Sequence, residues 1–359
     1  MIEGTIVIDC QFGSTGKGLI AGWLARRRMP DTVVTAWSAN AGHTYIGNDG
    51  RKFIHTMLAN GVVSPALRRV MIGPGSLIDP ATLAREMADC EEYLRRAQVF
   101  IHPSAAVITQ AHRDEEAGPM NKIGSTKKGC GAAAIERIRR NPNTANVARL
   151  PGRGFHPLLE EYGLAQYVVD SDLWQKELGK AEEILIEGAQ GHSLSMYHGF
   201  YPYVTSRDVS VHQTLADCGV PVPVGKRLRV VGTVRTYPIR VSNRYNDAGE
   251  MVGTSGPCYP DQEETTFEEL GQPVELTTVT KLPRRVFTFS EKQVVEAVKM
   301  NGVNDLFVNF LNYLPDHKRD RFLQGLASAV GPLGCRIRYL GLGPSDSDVV
   351  YLSEGVRGV

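Results

Sequence analysis

Short, uninterrupted apolar runs that break at glycine alternate with stretches of helical periodicity along most of this chain. Residues 4–10, GTIVIDC, are β-branched and continuous, the pattern of a strand buried on both faces. Residues 16–28, GKGLIAGWLARRR, follow at once and put Leu19, Ile20, Trp23 and Leu24 on one helical face. TVVTAW at 32–37 and RRVMIGPG at 68–75 predict further strands. Residues 79–97, DPATLAREMADCEEYLRRA, predict a helix: Asp79 suits its cap, Pro80 its first turn, and Leu83, Met87 and Tyr93 fall near helical spacing. EEILIEGAQG at 182–191 predicts a strand running into a glycine turn, and LRVVGTVRTYPIRV at 228–241 is strand-rich. VFTFSEKQVVEAVKMNG at 286–302 predicts strand then helix, DLFVNFLNYL at 305–314 a buried strand, and CRIRYLGLGPS at 335–345 a late strand ending in a Gly-Pro turn.

Strands alternating with helices predict an α/β fold: a P-loop-like, mostly parallel central sheet flanked by helices, with loop and small-subdomain excursions. Length, 359 residues, fits two domains or one large one, and the absence of a linker or repeat favours a single domain over 1–359. Residues 242–274, rich in Gly, Pro, Asn, Asp and Glu, predict a long surface excursion. Hydrophobic residues make up 42% and charged residues 22%, as in a globular protein with a sizeable core. With a net charge of +1 nothing argues for a polyanion such as nucleic acid as a partner, and none is expected. Six scattered cysteines form no CxxC pair and fit a reducing cytoplasm. No run approaches about 18 apolar residues, so a membrane span is not expected.

The candidate chemistry gathers where predicted strands end. QFGSTGKGL, residues 11–19, has the setting of a Walker loop without its sequence: Gln11 stands where the first glycine belongs, and Gly18 where a hydroxyl should follow Lys17. Gly13, Gly16 and Gly18 let backbone N–H groups approach an anion at a helix N-terminus, and Lys17 adds a positive charge. SANAGHTYIG at 38–47 sets His43 between Gly42 and Thr44, a candidate proton donor or phosphate contact. IGSTKKGCG at 123–131 is a second anion-friendly turn, with Arg140 beyond it. Gln190 in EGAQG offers an amide for reading a base or ribose. ELTTVTKLPRRVFTF at 275–289 pairs threonines with two arginines, a combination suited to a carboxylate.

GSTGKG, NAGHT, GPGSLIDPATLAREM, IGSTKKGCG, EGAQG, YPYVTS and GLGP occur in the order and context of adenylosuccinate synthetase, and the chain resembles that family over nearly its whole length. The resemblance implies a homodimeric carbon–nitrogen ligase that joins aspartate to C6 of a purine nucleotide, using a nucleoside triphosphate and Mg2+. It implies His43 as catalytic acid, with Ser14 and Gln190 beside it in the catalytic set. Gly13, Thr15, Gly16, Lys17, Gly18, Gly42, Thr44, Asn309, Asn312, Gly343 and Pro344 would bind the triphosphate, and Ser14 and the carbonyl of Gly42 the metal. Ser14, Asn40, Ala41, Ser125, Thr126, Arg140, Gln190 and Thr205 would hold the substrate nucleotide, Arg140 that of the neighbouring subunit. Thr278, Val279, Thr280 and Arg284 would bind aspartate.

Four departures from the family pattern point one way. Ser14 replaces an Asp that serves as base at N1 and as metal ligand, which removes bulk and charge where a 2-amino group would lie. Asn312 replaces an Asp that reads guanine, and an amide pairs with adenine. Leu282 replaces an arginine near the ribose hydroxyl, and no arginine follows Gly343-Pro344. The chain is thus similar to a bacteriophage branch of the family acting on dGMP with ATP or dATP, in the host cytoplasm, toward 2-aminoadenine DNA. The alternatives are an ordinary GTP-dependent enzyme acting on IMP, and a non-catalytic purine nucleotide sensor. The residues leave open what removes the N1 proton and whether ATP or dATP is preferred.

Overall fold

A computed structural model describes residues 3–117, 127–141, 146–150, 152–221, 227–246, 248, 250–277 and 281–356. Nine strands form its central sheet: β1 (Glu3–Asp9), β2 (Thr32–Thr35), β3 (Arg69–Ile72), β4 (Gln98–Ile101), β5 (Glu183–Glu187), β6 (Leu228–Arg235), β7 (Asp305–Asn309), β8 (Arg336–Gly341) and β9 (Val349–Val356). Their spatial order is β9-β8-β7-β6-β1-β5-β2-β3-β4. Every pairing is parallel except β8 with β9. The expected mostly parallel α/β sheet is what forms.

Strand β1 lies at the middle and is covered on both faces. Its period-2 alternation sends Ile6 and Ile8 into one core, shared with Trp174, Val294 and Leu306, and Val7 into another with Leu19, Ile20 and Leu24. The helix after it, α1 (Lys17–Arg28), lies against the strand His43–Ile46. A Cβ on Gly22 would come within 2.3 Å of the Tyr45 ring, and one on Gly18 within 2.7 Å of the Thr44 carbonyl. This close approach fixes His43 next to the phosphate loop.

The structure differs from the sequence expectation at element ends. The helix expected over 79–97 runs Pro80–Asp89, pauses at Cys90, and resumes for one turn at Glu91–Leu94; Asp79 caps it by accepting from the Thr82 N–H at 3.2 Å. The run 305–314 is a strand only to Asn309, because Phe310 turns into the left-handed region at φ 58° and Leu311–Tyr313 form a 3-10 turn. Edge strands β4 and β9 lacked a long apolar run and were not foreseen. The excursion at 242–274 contains a hairpin, Arg244–Tyr245 with Met251–Gly253, and the strand Glu264–Thr265. Among the described residues no helix is long and apolar enough to cross a membrane. All six cysteines are free thiols.

Candidate active site

A cavity of about 510 Å³ opens at the carboxyl ends of the central strands, where a parallel sheet of this kind places its ligands. Its walls include Gly13 through Gly18, Asn40 through Thr44, Gln190, Leu194, residues 241–244, Glu275 through Thr277, Leu282, Arg284 and Phe310.

The phosphate loop is organised by Asp9, the last residue of β1, which is 1% exposed. One carboxylate oxygen accepts from the Gln11 and Gly13 N–H groups at 2.8 and 3.2 Å. The other accepts from the Thr15 hydroxyl at 2.5 Å and the Lys17 ammonium at 3.0 Å. Lys17 is therefore charge-balanced and nearly buried, with its Nζ held under the loop. Gln11, in the place of a Walker glycine, clamps β1 to the end of β6. Its side chain accepts from the Arg235 N–H at 2.8 Å and donates to the Arg235 carbonyl at 3.2 Å. Gly13, Ser14 and Gly16 all have positive φ, which turns the loop outward. Ser14 is exposed at its crest, and its hydroxyl has no hydrogen-bond partner among the described residues.

His43 stands opposite on the cavity wall. Its Nδ1 lies 2.9 Å from a Glu187 carboxylate oxygen, and Glu187 also accepts from the Asn60 N–H and side-chain amide at 2.8 and 3.1 Å. An ionised carboxylate only accepts, so Nδ1 carries the proton and Nε2 is left for the cavity. The Trp37 ring packs against the imidazole at 4.1 Å, and its Nε1–H donates to the Glu187 carbonyl at 2.6 Å. Burial lowers the His43 pKa, while the Glu187 hydrogen bond works the other way. Across the cavity Gln190, itself at φ 65°, donates from its side-chain amide to the Asn40 side-chain oxygen Oδ1 at 3.1 Å.

The fold thus brings together Gly13, Ser14, Thr15, Gly16, Lys17, Gly18, Asn40, Ala41, Gly42, His43, Thr44, Gln190 and Arg284. Thr15 shows its backbone there, since its side chain is fully buried on Asp9 and Thr233. Asn309 is 4% exposed and lies outside the lining. Its amide donates to the Thr15 carbonyl at 3.2 Å and its oxygen accepts from the Phe310 N–H at 2.9 Å, so it ties β7 to the phosphate loop. Asn312 and Pro344 are exposed, and together with Gly343 and Thr205 they stand beyond the lining. Arg140 is exposed at the end of the helix Cys130–Arg139, away from this cavity. Ser125, Thr126, Thr278, Val279 and Thr280 lie outside the described residues.

Four side chains at this site escaped the sequence reading: Glu187, Arg235, Glu275 and Phe310. A charged residue closing an otherwise apolar strand was the available signal for the first two, in LIE and VVGTVR. Glu275 is held by both Arg235 and the Tyr313 hydroxyl, the latter at 3.0 Å. Burial alone would raise its pKa, but Arg235 and these hydrogen bonds hold it below the usual carboxylate range. For a divalent cation, the described residues contain no cluster of three or more His, Cys, Asp or Glu side chains able to hold one. The oxygens at hand, the Gly42 carbonyl and the Ser14 hydroxyl, are neutral and hard, which fits Mg2+ taking most of its ligands from phosphate and water.

A glycine-rich phosphate loop at the sheet's carboxyl edge, facing a histidine held by a buried glutamate, defines a nucleotide-dependent enzyme of P-loop-like α/β architecture. The chain belongs to the adenylosuccinate synthetase family, whose sequence model matches residues 6–151 and 158–319. It is 48% identical to the N6-succino-2-amino-2'-deoxyadenylate synthase of Acinetobacter phage SH-Ab 15497, over 99% of this chain and 95% of that protein. It is also 30% identical to the adenylosuccinate synthetase of Pyrococcus horikoshii, over 87% of this chain and 84% of that protein. Among solved structures it is similar to the succinoaminodeoxyadenylate synthetase of cyanophage S-2L, bound to dGMP and to dATP as an energy donor. That match has a TM-score of 0.87 and 43% identity, and covers 98% and 95% of the two chains.

Proposed function

We propose that this protein is a ligase that joins L-aspartate to C6 of dGMP at the expense of ATP or dATP. The product is the N6-succinylated 2-amino-deoxyadenylate from which 2-aminoadenine DNA derives. One observation carries the reading: the crest of the phosphate loop presents the free, neutral hydroxyl of Ser14. Neither nearby carboxylate is available to take the place of a base there, because Asp9 is committed to the loop and Glu275 to Arg235. A purine bearing a 2-amino group fits against such a wall. The S-2L synthetase, a similar protein, was solved with dGMP and with dATP as donor, which supports the same pair of ligands here.

In this reading the loop N–H groups and Lys17 hold the triphosphate. O6 of the purine takes the γ-phosphoryl group as N1 loses its proton; the aspartate amine then attacks C6 and the 6-phosphoryl group leaves as phosphate. Positioning accounts for most of such a reaction. His43, oriented by Glu187 through its Nδ1–H, donates through Nε2 to the charge developing at O6 as the imidazolium, the form that the Glu187 carboxylate favours against burial. Gln190 and Asn40, already bonded to each other, hold the nucleotide. Mg2+, when bound by the Gly42 carbonyl and Ser14 hydroxyl with phosphate oxygens, supplies neutralisation of the triphosphate charge. Asn312, Gly343 and Pro344 serve the donor, and Thr278, Val279, Thr280 and Arg284 the aspartate. Arg140, exposed at its helix end, reaches the site of a second subunit in a homodimer. Six free thiols fit a cytoplasmic setting.

The test is phosphate release from the protein with Mg2+, L-aspartate, and ATP, dATP or GTP, offering dGMP and IMP separately. Turnover is expected with dGMP and an adenine donor. Turnover with IMP and GTP alone overturns the proposal.

A further inference from the structure

Arg207 stands outside the cavity lining, at the base of the loop that carries Gln190 and Thr205, and its side chain is 19% exposed. Its guanidinium makes four hydrogen bonds, none of them to a proposed ligand position. Nη1 donates to the Ala36 carbonyl at 2.8 Å and to an Asp217 carboxylate oxygen at 3.2 Å. Nη2 donates to the Ser38 hydroxyl at 2.6 Å and to the Gly75 carbonyl at 3.2 Å. Arg207 thus ties its own loop to the loops that follow β2 and β3. Asp217 ends the helix Val211–Asp217, and its carbonyl accepts from the Gly75 N–H at 2.7 Å. A Cβ on Gly75 would come within 2.4 Å of the Asp217 side chain, so these acceptors are pinned against each other. A planar fork of donors meets four acceptors at once; an ammonium has three hydrogens and no fixed plane.

These bonds belong to a closed ring that reaches into the cavity. Ser38, held by Arg207 through its hydroxyl, accepts from the Asn40 N–H through its carbonyl at 2.8 Å. The Asn40 side-chain oxygen accepts from the Gln190 amide at 3.1 Å. From Gln190 the chain runs to Leu194, whose N–H donates to the Gly191 carbonyl at 2.8 Å and whose carbonyl accepts from the Thr205 N–H at 2.7 Å. The Met196 N–H then donates to the Arg207 carbonyl at 3.0 Å, which closes the ring. With its side-chain oxygen taken by Gln190, Asn40 has its NH2 group left for a ligand, and Gln190 its side-chain oxygen and one amide hydrogen. Gln190 keeps this pose in the left-handed region at φ 65°, which a residue with a Cβ adopts only where its neighbours hold it there.

We infer that Arg207 is a positioning residue for the substrate nucleotide: by clamping the loop after β2 to its own loop, it holds the Asn40–Gln190 pair in its bonded pose. A pair held in advance spares the nucleotide the cost of ordering two side chains and two loops. Without the guanidinium, Ala36 and Ser38 lose their tie to the 190–207 loop, and Asn40 and Gln190 are free to part. The phosphate loop is organised by Asp9 instead, so binding of the triphosphate donor changes little. The inference rests on the assignment of Asn40 and Gln190 to the substrate nucleotide in the proposed function.

The experiment reads dGMP affinity by calorimetry in Arg207→Lys, Ser38→Ala and Asn40→Ala, and in the first two each combined with the third. Arg207→Lys should weaken dGMP binding about tenfold, the scale of coupling within one hydrogen-bonded network. Ser38→Ala, which removes one of the four bonds, should weaken it about threefold. In the Asn40→Ala background each further loss should shrink to under about twofold, because no pair is left to hold. Affinity of Arg207→Lys for the non-hydrolysable donor AMP-PNP with Mg2+ should stay within about twofold of wild type, as for an independent site. A merely structural role gives losses that add in the double variants, or that fall equally on dGMP and AMP-PNP. Either result overturns the inference, as does an unchanged dGMP affinity in Arg207→Lys. Thermal midpoints identify any variant that has lost its fold; should Arg207→Lys be one, Ser38→Ala, which keeps the guanidinium and its other three bonds, decides the matter. A wild type that neither binds nor turns over dGMP fails the proposed function, whereas failure of the inference alone leaves wild-type binding and turnover intact.

Discussion

Ser14 sits in the left-handed region at the crest of its loop, a conformation Asp also tolerates. Ser14→Asp should therefore fold, and it restores bulk and charge where the purine 2-amino group is proposed to lie. Its kcat/KM with dGMP is expected to fall by about 10- to 100-fold, the scale of one discriminating contact, with thermal stability unchanged. Undiminished use of dGMP in steady-state assays would remove Ser14 from that role. Glu187 is the second informative residue. Glu187→Gln sets an NH2 group against one of the Asn60 donors or against His43 Nδ1, which misorients the imidazole. A drop in kcat of roughly 10- to 100-fold is expected, smaller than the loss on removing His43, with the KM for dGMP little changed. Of these two residues, Ser14 was legible from the sequence and Glu187 was not. A loop residue announces itself by departing from a motif, whereas a carboxylate ending a strand becomes informative only once its partners, Asn60 and His43, are brought to it.

At the scale of the element, the phosphate loop is a strand–turn–helix unit whose geometry is written into one buried carboxylate. Asp9 lies in the run GTIVIDC, whose apolar pattern marks a buried strand, and the structure shows why a carboxylate lies there. It collects two N–H groups, a hydroxyl and an ammonium, all within eight residues of itself along the chain. Asp9→Ala leaves Lys17 buried and unpaired and should cost about 3–5 kcal/mol of stability, read from the denaturant midpoint at constant slope. A loss below 1 kcal/mol would mean that Lys17 escapes to solvent. The turn after β7 teaches the converse. Its apolar run extends through 305–314, but Asn309 accepts from the Phe310 N–H and bonds Thr15, which ends the strand early. Nothing local in DLFVNFLNYL marks that stop, because the competing hydrogen bond comes from a loop 294 residues away in sequence.

For the whole molecule, acid stability follows from its buried imidazoles. Burial pulls His55 down to about 4, and it does the same to His192, helped by His198. Both are neutral in the folded state and titrate near 6.5 once unfolded. Their folded-state values are lowered, so the unfolded chain binds more protons below pH 6.5 and stability falls as pH drops from about 6.5 toward 4. Above pH 6.5 neither contributes a slope. Thermal midpoints measured across this window should decline, and His192→Gln should flatten the decline without shifting its onset; an equally steep profile in the variant would assign the effect to other groups.

The inner strands of the sheet, its mostly parallel α/β character and the phosphate loop were determined by the sequence alone, because continuous β-branched runs, helical periodicity and glycine turns are local signals. So were the loop residues that line the cavity, from Gly13 to Gly18 and from Asn40 to Thr44. Which carboxylates remain free, which lysine is neutralised, and which arginine binds three loops together were decided only in three dimensions. Those properties depend on pairs such as Asp9–Lys17, Glu187–His43 and Arg235–Glu275, the last two joining residues 144 and 40 positions apart in the chain. Pairing, not residue type, fixes the charge and freedom of a buried group.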